Sequence, residues 1–173
     1  IASDWKANDW LIANTFLQDR ILENSKDPIG DARIHAMTFY RTPESLNQRF
    51  SRSMNNEKGI FNVESWLDHH AIKLNQRFSL SSYKFLNKLL RSANITRDDS
   101  RLESKIMPSK SEIHIISVDS DIFFLPDEDK MTTQRLEKQK VKIKNHVIES
   151  IHGHDAFLIE TKQISDIFTK ILK

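Results

Sequence analysis

The chain has 173 residues, 38% apolar and 29% charged, which is enough hydrophobic material for one core-bearing domain and too much for disorder. It has no cysteine, which excludes disulfides, a thiol nucleophile and sulfur-ligated zinc; its three glycines, Gly30, Gly59 and Gly153, are too far apart for a phosphate-cradling loop or a Gly-x-Ser-x-Gly nucleophile elbow. The net charge is +2, with nine basic and eleven acidic residues from Ser111 onward, an asymmetry too mild for a nucleic-acid module, and no apolar run reaches membrane-spanning length.

Residues 1–95 read as helix after helix. Apolar groups from Trp5 through Trp10, Leu11, Phe16, Leu17, Ile21 and Leu22 recur at helical spacing, and Asp27-Pro28-Ile29-Gly30 interrupts them. A second helix is expected over 31–40. Thr42-Pro43-Glu44 announces a third, with threonine as N-cap and proline at the first helical position. Residues 51–59 are polar and read as a loop, and Val63 opens a helix that reaches Leu74. Ser79 or Ser81 caps the next, which carries Tyr83, Phe85, Leu86, Leu89 and Leu90. Trp5, Trp10 and Trp66 are expected in the core, and the charged stretch 96–111 reads as a connector.

From there the period changes. Residues 112–118 form a short apolar, β-rich run, as in a strand buried on both faces. Pro126 and Asp127 start a helix to about Gln139, residues 141–149 make a second strand, and a turn at Gly153 leads to a last helix over 160–172. The alternation of Lys138, Lys140, Lys142 and Lys144 with Gln139, Val141 and Ile143 reads as a strand with one solvated face. Strand-helix-strand-helix is a βαβα unit, and two strands make a poor sheet alone. The sheet is therefore expected to continue upstream of Ile1. With no initiating methionine and no signal peptide, the chain reads as a piece of a longer protein.

In open parallel sheets, ligands gather outside the carboxyl ends of the strands. Asp119-Ser120-Asp121 follows the first strand and His152-Gly153-His154-Asp155 the second, an acid-then-histidine order compatible with a serine-hydrolase triad. The stretches Val118-Asp119-Ser120-Asp121-Ile122-Phe123-Phe124-Leu125-Pro126 and Gly153-His154-Asp155-Ala156-Phe157-Leu158-Ile159-Glu160 resemble the two C-terminal signatures of the homoserine O-acetyltransferase family. Ala32-Arg33, Thr38-Phe39-Tyr40-Arg41-Thr42-Pro43-Glu44-Ser45-Leu46, Phe61-Asn62-Val63-Glu64-Ser65-Trp66-Leu67, Arg77-Phe78 and Ser82-Tyr83 resemble that family's helical cap, in the same order.

The resemblance implies an α/β fold: the C-terminal portion of an α/β hydrolase with an inserted all-helical cap. Residues 1–110 would form the cap region and 111–173 the core's βαβα part, with the first sheet strands and the nucleophile elbow outside this chain. It implies Asp121 as triad acid and His154 as triad base, with Arg33 and Asp155 binding the amino-acid substrate. The implied reaction is ping-pong transfer of an acetyl group from acetyl-CoA to the hydroxyl of homoserine, in methionine biosynthesis. No bound cofactor, nucleic acid or membrane is implied, and the full-length enzyme is expected to be a cytoplasmic homodimer. The fragment, lacking the nucleophile, is expected to be inactive alone.

Each residue has a plainer reading. Asp119 competes with Asp121 and is otherwise a brace for its loop. Arg33 is otherwise an ordinary surface helix residue, and Tyr40 and Arg41 line the cap cavity or serve helix packing. His152 with His154, or His69 with His70, are metal-ligand spacings without a third and fourth ligand, so no metal is expected. Two other function classes compete. In a haloacid-dehalogenase-like phosphotransferase, Asp119 would be the nucleophile of an Asp-x-Asp motif, although Phe123 stands where that family has Thr or Val. The other is a non-catalytic helical interaction module.

Overall fold

The computed structural model describes residues 5–97, 101–106 and 110–172. They form two compact units, Ala7–Ala93 and the described residues outside that range. The helical part expected over 1–110 is thus, as a compact unit, Ala7–Ala93. Among the described residues, no helix is long and apolar enough to cross a membrane.

The helical unit comprises α1 (Asp9–Asn24), α2 (Pro28–Tyr40), α3 (Pro43–Phe50), the short strands β1 (Met54–Asn55) and β2 (Ile60–Phe61), α4 (Asn62–Asn75) and α5 (Leu80–Arg91). The helices start where a side chain satisfies an orphan N–H. Asn8 accepts from Leu11 N at 2.7 Å, Asp27 from Gly30 N at 3.1 Å, Thr42 from Ser45 N at 3.0 Å and Ser79 from Ser82 N at 3.1 Å. Glu64 reaches back to Phe61 N at the start of α4. The Asn8 cap moves the first helix to Asp9, four residues later than its apolar spacing suggests. Lys6 forms an antiparallel bridge with Asn94 instead.

Leu11, Leu22, Ile29, Ala32, Ala36, Met37, Phe39 and Ala71 are buried. Two amides fasten helix to helix: Gln18 Nε2 donates to Ala32 O at 3.0 Å, and Asn87 Nδ2 to Thr15 O at 2.8 Å and to Asp19 Oδ1 at 2.6 Å. Trp10 is not in the core: it is 46% exposed. Residues 51–59, expected as a loop, hold β1 and the turn into β2, paired Met54↔Phe61 and Asn55↔Ile60. Strands of two residues are too short to show alternation in a sequence.

The second unit contains α6 (Leu102–Ile106), β3 (Ile113–Val118), α7 (Pro126–Lys138), β4 (Ile143–Ile148), α8 (Ala156–Ile159) and α9 (Thr161–Ile171). β3 and β4 are parallel, in register from Ile113↔Ile143 to Val118↔Ile148. One face of this sheet buries Ile113, Ile115 and Ile143 with Leu136 of α7 and Leu102 of α6; Trp5 and Val141 pack at the margin. The other buries Ile116, Val118 and Ile148 with Ala156 and the α9 residues Ile164, Ile167 and Ile171. Helices on both faces explain the continuous apolar run of β3. Leu102, with no exposed surface, corrects the reading of 96–111 as a connector. Its helix is too short to display a period.

The lysine run is corrected in its first half; Lys144 lies in β4 with its side chain exposed beside buried Ile143, as expected. Lys138 ends α7, and Lys140 takes a left-handed φ of 60°. Val141 N then bonds Leu136 O at 3.1 Å and Lys140 N bonds Glu137 O at 2.8 Å. This is a Schellman closure, and Val141 packs against the apolar cluster that contains Leu136. Lysine stands where glycine is usual, which conceals the helix end in the sequence.

Candidate active site

Because Val118 and Ile148 are register partners, the loops that follow β3 and β4 emerge side by side. Asp119 N bonds Ile148 O at 3.1 Å and prolongs the ladder by one step. The chain then turns, and Asp121 becomes 92% buried. Its Oδ1 accepts from Phe123 N at 2.7 Å and Phe124 N at 3.0 Å. These two backbone donors fix the carboxylate plane, as short acidic side chains do in turns. They leave Oδ2 for the neighbouring loop, where His154 Nδ1 lies 2.9 Å away.

His154 sits in a 3₁₀ turn over Gly153–Asp155, and Gly153 has φ +64°, a left-handed value suited to glycine. Three phenylalanines surround the imidazole: Phe123 at 5.1 Å between centroids, Phe124 at 5.4 Å and Phe157 at 5.6 Å. They lower the local dielectric and limit ring rotation, so the Asp121 contact is strengthened and the ring orientation is held. Phe123 and Phe124 directly follow Asp121, and Phe157 lies one helical turn beyond His154. That clustering was the available signal for this aromatic collar, which sequence reasoning did not assign.

Asp119 is a brace. Its Oδ1 accepts from Ser150 N at 3.0 Å, whereas the carboxylate bonded to His154 is that of Asp121. Asp155 belongs to the same turn as His154.

Arg33 lies on α2, half-buried, with its guanidinium 5.5 Å from the Tyr40 ring centroid two turns along the same helix. It has polar company in its own unit. Burial, and then the charges of Arg33, His69, Lys73 and Arg49, hold the His70 imidazole down to about 4. Burial raises the Tyr83 phenol, with Tyr40 adding to the rise and Arg33 opposing it. Arg41 is a packing residue: it is buried, 3.4 Å from Ser45 Oγ, with its guanidinium 6.0 Å from Trp66. Among the described residues, no group of three or more histidine and acidic side chains is placed to hold a metal ion.

No family model matches the chain. It is similar to the homoserine O-acetyltransferase of Methanococcus vannielii, 33% identical over 148 residues, covering 82% of this chain and 30% of that one. The homoserine O-acetyltransferase of Cyclobacterium marinum is 30% identical over 178 residues, covering 96% of this chain and 49% of that one. The chain therefore spans about half, or less, of the length of these relatives. Among solved structures, the homoserine O-acetyltransferase of Staphylococcus aureus superposes with a TM-score of 0.77 at 17% identity, over 98% of this chain and 49% of that one. Esterase E22 superposes with a TM-score of 0.81 at 13% identity, over 98% and 52%. At such identities the structures establish the fold alone, that of part of an α/β hydrolase.

Proposed function

We propose that this chain, whose sequence is homologous to part of the homoserine O-acetyltransferases, carries the acid and base of a Ser-His-Asp acyltransferase. The observation that carries this reading is the 2.9 Å approach of His154 Nδ1 to Asp121 Oδ2 at the carboxyl ends of adjacent parallel strands. Asp121 holds the imidazole in the tautomer with its proton on Nδ1 and stabilises the imidazolium. Nε2 is then the nitrogen that takes a proton from a serine and returns it to the leaving group. The 173 residues contain no Gly-x-Ser-x-Gly elbow, so in this reading the serine and the oxyanion donors come from another segment.

In the proposed reaction, the serine attacks the thioester of acetyl-CoA and CoA leaves as the thiol. The homoserine hydroxyl, deprotonated by His154, then attacks the acetyl-serine and regenerates the serine. Arg33 and Asp155 bind the acceptor's carboxylate and amine, which suits a guanidinium and an acid. The enzyme needs no cofactor beyond acetyl-CoA as donor, and it works in the cytoplasm as a homodimer with no nucleic-acid or membrane partner.

The test compares the full-length protein that carries these residues with the 173 residues alone, each given acetyl-CoA and homoserine. The full-length protein is expected to form O-acetylhomoserine, and the 173 residues none. Release of acetate with no O-acetylhomoserine would make the protein a hydrolase and sink the acceptor assignment. Transfer by the 173 residues alone would sink the requirement for an outside serine.

A further inference from the structure

We propose that Ser120 is a positioning residue that ties the His154 loop to the Asp121 loop and thereby sets the contact between the two. Ser120 immediately precedes Asp121, and Gly153 immediately precedes His154. Gly153 N donates to Ser120 Oγ at 3.0 Å, and the same hydroxyl donates to Ser150 O. One side chain thus uses both its acceptor and its donor on the backbone of the opposite loop, the acceptor at the residue next to His154 and the donor at Ser150 where that loop begins. Asp119 adds the bond from Ser150 N at 3.0 Å, so Ser150 is held through both its N–H and its C=O.

The far side of the same loop is moored to α9. Ser150 Oγ donates to Glu160 Oε1 at 2.8 Å and accepts from His152 N at 3.1 Å. Gln163 bonds both the N–H and the C=O of Glu149, at 3.1 and 2.9 Å. These contacts hold the loop to the helix but do not tie it to the strand that carries Asp121. Ser120 supplies that tie at Gly153, the residue next to His154, a glycine whose backbone is otherwise free to take other conformations. Without the hydroxyl, Gly153 N and Ser150 O lose their partner together. A shift of Gly153 passes directly to the imidazole, and a misplacement of about 1 Å costs up to about 10²-fold in rate.

In naming a reaction, the proposal rests on the acyl-transfer reading; the positioning itself is read independently of any reaction. In proton NMR spectra, the His154 Nδ1 proton bonded to Asp121 is expected as a far-downfield signal, assigned by its loss in His154→Gln. Ser120→Ala is expected to broaden or abolish that signal while the far-ultraviolet circular dichroism stays that of the wild type. Ser120→Thr, which keeps the hydroxyl, is expected to retain it. In the full-length enzyme, Ser120→Ala is expected to lower kcat about 10- to 100-fold with KM for both substrates little changed, again rescued by threonine.

An unshifted, sharp signal in Ser120→Ala would overturn the proposal, as would a threonine variant as impaired as the alanine one. If Ser120→Ala does not fold, Ser120→Cys decides: its weak thiol is expected to weaken the signal, and a wild-type signal there overturns the proposal. A full-length protein inert towards acetyl-CoA would remove the function reading and leave the NMR test standing.

Discussion

The helical unit and the βαβα unit both bury polar side chains, but at different places in their elements. In the helical unit the buried amides Gln18 and Asn87 project from helix interiors and bond the backbone of a neighbouring helix. They choose which turn of α1 meets which turn of α2 and α5. In the other unit two of the buried polar side chains, Ser117 and Asp121, sit at or just beyond the end of β3. Asp121 faces His154, and Ser117 lies 3.0 Å from Asp129 Oδ2 and 2.9 Å from Asn145 Oδ1. A helix has satisfied its own backbone, so its buried amides serve register. A strand end leaves a turn whose N–H groups can hold a carboxylate in place, and that carboxylate becomes available for chemistry.

The largest effect should separate the units by activity. His154→Gln or Asp121→Asn in the full-length protein is expected to lower kcat by about 10⁴-fold, with the fold intact by circular dichroism. A loss below tenfold in a steady-state acetyl-transfer assay would show that the βαβα unit does not carry the proton transfer.

Next come the two cores. Leu136→Ala and Leu22→Ala each remove a fully buried leucine and are expected to cost about 2–5 kcal/mol in urea unfolding. Trp5 reports the unit of Leu136, while Trp10 and Trp66 report that of Leu22. Leu136→Ala should therefore move the Trp5 transition first. If it moved only the Trp10 and Trp66 signals, the assignment of Trp5 to the strand-bearing unit would be wrong.

Arg33→Ala tests whether the helical unit contributes to binding. In the full-length protein the KM for homoserine is expected to rise about 10- to 100-fold, with acylation by acetyl-CoA unchanged, as for loss of a charge-assisted contact to a carboxylate. Equal damage to both half-reactions would remove Arg33 from the acceptor site.

The two smallest effects have opposite pH signs. Burial pushes the Asp129 carboxyl up, with Asp121 and Glu128 adding to the rise and the hydrogen bond from Ser117 opposing it. The native state then binds more protons than the unfolded chain above the ordinary value of 3.8, so stability falls as pH rises from there to the raised native value. Asp129→Asn is expected to raise the Tm at pH 7, with the gain vanishing towards pH 4. A variant less stable than the wild type at pH 7 would mean that the charged form is favoured.

His70 behaves in reverse. With its imidazole held down to about 4, the unfolded chain binds the extra proton, so stability is lost as pH falls from 6.5 towards 4. His70→Gln should flatten that part of the stability profile of the helical unit. An unchanged slope between pH 6.5 and 4 would remove His70 as its cause.

Much of the helical unit was legible in its residues, because caps act over three positions. Thr42-Pro43 and Ser79 start helices where their side chains accept from the N–H three residues on. The continuous apolar run of β3, covered by helices on both faces, was legible for the same reason: composition is local. Leu102 was not, because it enters a core supplied by distant segments while its own neighbours are polar. The Schellman turn at Lys140 was hidden by a residue whose side chain disfavours the left-handed φ it adopts.

For the candidate site, the sequence alone determined which residue types stand after the two strands, and its resemblance to a family favoured Asp121 over Asp119. Only the tertiary structure decided which carboxylate meets the imidazole. The partners are 33 residues apart, and their meeting depends on the parallel register that places Val118 beside Ile148. One residue of slip would turn every side chain of a strand to the other face. The roles of Asp119 as brace and Ser120 as tie follow from the same register. A hydroxyl's two bonds to a loop on another strand have no spacing, period or composition by which a sequence can announce them.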